Sequence, residues 1–182
     1  GYHASTVDHC VAIGRNAFLG ASGNTEGDYN VAIGNYSLDA ATTGHSNVAV
    51  GYNAGTAITT GQANVLIGHE AGKALDTNSS TVAVGKSALK TETTAGASVA
   101  VGAYALEDQN VSNGNNVAVG YQAGLNLTTG TDSVYVGYQS GGSGTITGDD
   151  NTIVGKGAGY DLTSGYRNVA LGKSAAANIT SN

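Results

Sequence analysis

The chain has 182 residues, 29 of them glycine, with no Pro, Met or Trp, 11% charged residues and a formal net charge of −6. Seven Lys and Arg over this length do not form the basic face of a nucleic-acid binder, so no nucleic-acid partner is expected. The Val, Ile and Leu content excludes a disordered acidic tail, the missing Pro excludes collagen, and no apolar run approaches ~18 residues, so no direct membrane insertion by this chain is expected.

Along the chain one phrase recurs, Val-Ala-Val/Ile-Gly. Its glycines are Gly14, Gly34, Gly51, Gly68, Gly85, Gly102, Gly120, Gly137, Gly155 and Gly172, at intervals of 20, 17, 17, 17, 17, 18, 17, 18 and 17. Such self-similarity marks a repeat architecture. Residues 1–182 therefore read as one repeat domain, and the lack of an initiator Met or signal peptide suggests a fragment of a longer fibrous protein. The longer first interval places an insertion in a loop within Ala21–Asp28.

A strand is predicted before each glycine. Three positions before it stands Val in nine copies, with Thr152 the exception, and one before it stands Val, Ile or, once, Leu171. These are strand-forming residues, and alternation points both columns the same way. They are assigned to the coil core as Val31, Ile33, Val48, Val50, Val65, Ile67, Val82, Val84, Val99, Val101, Val117 and Val119. Three positions after the glycine, all ten copies carry Ala or Ser. Seven before it, Gly or Asn stands in eight of nine copies, which predicts a backbone with positive φ and a tight turn at Thr-Thr-Gly or its equivalent.

A 17-residue unit cannot bury its own apolar face, whereas stacked units can. The predicted fold is an all-β β-solenoid of about ten 17–18-residue coils, a rod roughly 45 Å long at ~4.8 Å per coil. Four before the glycine, Asn30, Asn47, Asn64, Asn116, Asn151 and Asn168 should form a ladder of stacked amides. Two before it, Ala32, Ala49, Leu66, Ala83, Ala100, Ala118 and Tyr135 occupy the strand's other face without a charge. A strand apolar on both faces is usually covered on both, so this column is assigned to an interface with further copies, most simply a homotrimer.

Asn47-Val48-Ala49-Val50-Gly51 and Ser98-Val99-Ala100-Val101-Gly102, each followed three residues on by Ala54 and Ala105, resemble the head repeats of trimeric autotransporter adhesins, the YadA-like head. The resemblance runs from Val11 to Ala175. It implies a left-handed parallel β-roll, three intertwined chains and display at the bacterial cell surface. It also implies a non-enzymatic function, attachment to a host cell-surface or extracellular-matrix molecule, whether protein or glycan. The seventeen-residue period is longer than the family's, with the surplus at the Thr-Thr-Gly turns. Asn116–Gly124 also resembles repeats of phage and virion tail fibres, which leaves a shaft or receptor-binding segment as the alternative.

No catalytic or metal constellation is expected and no cofactor is called for. Val50–Gly55 matches one hexad of the hexapeptide acyltransferases, but their coil repeats the hexad about three times. Calcium-binding nonapeptide repeats need Asp in register, and none recurs. His9 beside Cys10 supplies two ligands, short of a site, and His3, His45 and His69 lie apart in sequence. Ice binding needs flat Thr rows, whereas Thr42-Thr43, Thr59-Thr60 and Thr128-Thr129 fall at predicted turns. One column remains as a candidate contact surface. Immediately after the glycine it is polar and varied, and Tyr52, Tyr121 and Tyr138 are its candidate ligand-binding residues, offering large area with few rotors to freeze.

Overall fold

The structure, a computed structural model, describes residues 9–20, 27–93, 97–111, 114–142 and 144–181. The core of the expected insertion within Ala21–Asp28, residues 21–26, lies outside them, as do His3, Ala95 and Asn113. The described residues contain ten three-residue strands: β1 (Val11–Ile13), β2 (Val31–Ile33), β3 (Val48–Val50), β4 (Val65–Ile67), β5 (Val82–Val84), β6 (Val99–Val101), β7 (Val117–Val119), β8 (Val134–Val136), β9 (Thr152–Val154) and β10 (Val169–Leu171). They form a single parallel sheet in sequence order, so each coil stacks on the one before it. The architecture is a β-solenoid. Register follows the sequence columns, with Val31 opposite Val48, Ala32 opposite Ala49 and Ile33 opposite Val50.

The strands are short because left-handed residues follow them. The glycine after each strand has φ between 120° and 140°. The second and fourth residues after it are left-handed too, as in Tyr36 (φ 61°) and Leu38 (φ 49°), or Tyr104 (φ 62°) and Leu106 (φ 49°). The turns stack like the strands. Leu38 N donates to Ala54 O at 3.1 Å, Gly55 N to Ala71 O at 3.0 Å, and Gly72 N to Ala88 O at 2.9 Å. Backbone pairing thus continues around the coil through residues whose φ departs from strand geometry, as polar main chain in an interior requires.

The core corrects the assignment of the two strand faces. Ala32, Ala49, Leu66, Ala83, Ala100, Ala118 and Tyr135 are fully buried within a single chain and cannot be an interface with another copy. The columns assigned to the core point outward instead. Val31, Val48, Val50, Val82, Val84, Val99 and Val117 are half-buried, as are Ile33 and Val65, while Ile67, Val101 and Val119 are 39%, 36% and 38% exposed. Alternation was sound, but residue size does not reveal which face turns inward. The turn segments decide it. Leu38, Ile58, Leu75, Leu89, Leu106, Leu127, Ile146 and Leu162 fill the coil from the opposite wall. Most coils therefore have room for only a methyl group on the strand side.

Space is shared between two columns. Where the strand carries Ala32, Ala83 or Ala100, the fourth residue after the glycine is Leu38, Leu89 or Leu106. Where the strand carries Leu66, Tyr135 or Ile153, that residue is Gly72, Gly141 or Gly159, and the coils of Ala49 and Ala118 carry Gly55 and Gly124, which leave room for Leu66 and Tyr135 of the following coil. A Cβ added to Gly141 would lie 2.7 Å from the Tyr135 ring, and one added to Gly159 would lie 3.1 Å from Ile153 Cγ2.

The glycines seven before the repeat glycine also serve a different purpose from the one expected. Gly27, Gly44, Gly61, Gly130, Gly148 and Gly165 are absent from the left-handed region, which is occupied two residues later by Tyr29, Ser46, Ala63, Asp132, Asp150 and Arg167. Their glycines permit close stacking. A Cβ on Gly27 would sit 1.9 Å from Gly44 O, and one on Gly61 would sit 2.3 Å from Asn78 O. The asparagine ladder draws these carbonyls inward. Asn30 Nδ2 donates to Gly44 O at 2.8 Å, and Asn47 Nδ2 to Gly61 O at 2.9 Å. Each Oδ1 accepts the next coil's backbone N–H: Asn47 N to Asn30 at 2.9 Å, Asn64 N to Asn47 at 3.0 Å, and Thr81 N to Asn64 at 2.9 Å.

Candidate interaction surfaces

Two surfaces stand out on the rod. The first is the outward face of the sheet, where the β-branched columns stack from β1 to β10 without a charged side chain. Parallel strands repeating Val over Val make this stripe continuous.

The second lies just past the repeat glycine. Tyr52, Tyr121 and Tyr138 are there, exposed by 45%, 43% and 47%. The structure brings Tyr121 and Tyr138 together, their rings stacked at 5.4 Å and 15°. Tyr52 stands apart from them and stacks on His69 at 5.3 Å and 29°. Sequence columns alone missed two members. Tyr36 and Tyr104 sit one position later, in the coils that carry Asn35 and Ala103 beside the glycine. Their rings meet Tyr52 and Tyr121 edge-on at 6.1 and 5.9 Å. Tyr at the neighbouring position wherever the main column lacked a large side chain was the available signal.

Cations bound the aromatic runs. The Arg15 guanidinium lies 5.7 Å from the Tyr36 ring centre, Lys86 Nζ 5.2 Å from Tyr104, and Lys156 Nζ 5.4 Å from Tyr138. The Tyr104 hydroxyl beside Lys86 holds its ammonium above the ordinary lysine range. Among the described residues the ion pairs lie elsewhere. Glu70 binds Lys73 at 2.8 Å and Lys90 at 3.1 Å, Lys90 reaches Glu107 at 3.8 Å, and Arg167 meets Asp150 at 3.5 Å. The Lys73 hydrogen bond, with Lys90, keeps the Glu70 carboxyl below its usual range, while burial raises that of Glu107.

The remaining polar groups mostly bind neighbouring coils. His9 stacks on Tyr29 at 5.2 Å, Cys10 Sγ accepts from Asn30 N at 3.3 Å, and His45 contacts Ser46. Among the described residues no three His, Cys, Asp or Glu converge as metal ligands. Asp149 accepts from Thr131 N at 2.8 Å, and Thr42 and Thr128 donate their hydroxyls to Thr59 O and Ile146 O on adjacent coils. In coils five and six the apolar inner column becomes Glu92 and Gln109. Gln109 Nε2 donates to Glu92 at 2.7 Å and to Ser98 at 3.0 Å, while its Oε1 accepts from Asn116 at 3.0 Å. Gln109 thereby supplies the amide that Ser98 lacks in the ladder. No described helix is long and apolar enough to cross a membrane. Comparison with protein-family models, with curated proteins and with solved structures finds no match to this chain.

Proposed function

We propose that the chain is a non-enzymatic, rod-like adhesin head. It assembles as a homotrimer of parallel β-rolls at the bacterial cell surface and attaches to a host cell-surface or extracellular-matrix molecule. The observation that carries this reading is the outward β-branched stripe. Val48, Val50, Val82, Val84, Val99 and Val101 stay partly open to water along a sheet whose other face is already the core. A continuous apolar stripe of this kind is expected to be covered by a partner. Parallel copies in register would lay this stripe against itself along its whole length, and closed symmetric assemblies are the common form for identical chains. Three rods then present three copies of every exposed coil, and attachment gains from multivalency without strong single contacts.

A shaft or receptor-binding segment of a phage or virion fibre is the second reading. The unbroken register of ten coils supports it, because a spacer needs stiffness along its axis. Light scattering on a sizing column tests the assembly, with a native mass near three times 17.9 kDa expected. Binding of the isolated chain to cells and matrix then separates the readings. An adhesin head binds host cells or matrix by itself, a shaft binds neither, and a phage receptor-binding segment binds bacterial cells instead. A monomer that binds neither would end the adhesin reading.

A further inference from the structure

The column after the repeat glycine is electrostatically unlike the rest of the chain. The protein carries 13 Asp and Glu against seven Lys and Arg, yet Arg15, Lys86, Lys156 and Lys173 fall in this one column and no carboxylate does. The other three cations, Lys73, Lys90 and Arg167, are ion-paired, and among the described residues the four ridge cations are not. Arg15, Lys86 and Lys156 belong to the first, fifth and ninth coils. They therefore recur every four coils, roughly 19 Å at ~4.8 Å per coil. The intervals are filled by Tyr36, Tyr52 and His69, and then by Tyr104, Tyr121 and Tyr138.

We propose that this ridge is a binding track for a linear, acidic glycan lying along the rod axis. The cations meet sulfate or carboxylate groups, and the aromatic edges between them meet the sugar units. The proposal deepens the adhesin reading and rests on it for the setting in which such a glycan is met.

Three features favour this class of ligand. The rings already stack on one another, so little side-chain freedom is lost on binding. The same stacking covers ring faces: Tyr121 with Tyr138, Tyr52 with His69, and Lys86 over Tyr104. Nucleic-acid bases need those faces free. Charge points to the same class. Four cations in a column without a carboxylate suit an acidic chain rather than a neutral one.

The test uses the chain as it assembles, titrated at low salt with heparin as the acidic glycan, dextran as the neutral one and oligothymidylate as a different polyanion. Saturable heparin binding that weakens with salt is expected, with no binding to dextran and at least about tenfold weaker binding to oligothymidylate. The double variant Lys86→Glu, Lys156→Glu should lose about tenfold in heparin affinity at unchanged native mass and melting temperature. Absent heparin binding, equal affinity for oligothymidylate, or an unaffected double variant would overturn the track. So would a changed native mass in that variant, which would assign the ridge to the subunit interface. Attachment to cells before and after enzymatic removal of acidic glycans separates this proposal from its setting. Undiminished attachment keeps the adhesin reading and overturns the track. Heparin binding by a protein that attaches to no surface keeps the track and ends the adhesin reading.

Discussion

Leu66 and Gly72 occupy one shared volume inside the fourth coil. A Cβ built on Gly72 would lie 2.7 Å from Leu66 Cδ2, and one built on Gly55, a coil earlier, 2.6 Å from Leu66 Cδ1. Gly72 has φ 56°, but this does not by itself demand glycine, because Leu38, Leu89 and Leu106 take φ 49° at the equivalent position. The requirement is space. Gly72→Ala should destabilise the rod by about 1–3 kcal/mol through overpacking. Leu66→Ala in the same chain should recover part of that loss. A double-mutant cycle by chemical denaturation measures the coupling, and additive effects would show that the two side chains do not compete.

The two strand faces should respond oppositely to charge. Ala49→Glu or Ala100→Glu places an unpaired carboxylate in the coil interior and should unfold the chain, seen as lost circular dichroism. Val50→Glu and Val101→Glu change the outward face, where Val101 is 36% exposed. They should leave the dichroism intact and lower the native mass. A folded assembly of undiminished mass in the Val50 and Val101 variants would count against the proposed interface.

The amide ladder is expected to matter more than any surface contact. Asn64 donates to Asn78 O at 2.7 Å and accepts from Thr81 N at 2.9 Å, all of it buried. Asn64→Leu leaves both partners unsatisfied and should cost about 2–5 kcal/mol. Asn64→Ser should cost less, since Ser98 accepts from Asn116 N at 3.2 Å in the same column. Equal melting temperatures for the two variants would contradict this ranking.

Tyr135 sets an alkaline limit. Burial pushes its phenol up to about 12, above the ordinary tyrosine value of about 10. The folded state therefore holds the proton where the unfolded chain has released it. The stabilising difference is intact below pH 10 and falls as pH rises toward 12, at about 1.4 kcal/mol per pH unit. Tyr135→Phe should flatten that part of the stability curve. An identical slope between pH 10 and 12 in the variant would assign the alkaline loss to other groups.

The repeat, its period and the parallel stacking were legible because identical short units can bury apolar surface only by lying on one another. The Asn column was legible for a related reason, since a polar residue recurring at one strand position must find its partner in the next coil. The pairing of Leu66 with Gly72 was present in the sequence as well, but as a correlation between two columns rather than a pattern within either. The inward face was not. Alternation separates Val48 and Val50 from Ala49, yet it is symmetric between inside and outside. Only the position of Ile58 and Leu75, brought across the coil by the turns, shows that the alanine points in. Likewise, glycine seven before the repeat marks either positive φ or close approach, and the distance from Gly61 to Asn78 O decides for close approach. The Tyr–cation ridge, finally, depends on stacking between coils, which sets Tyr104 against Lys86 and Tyr121 although they fall in different sequence columns.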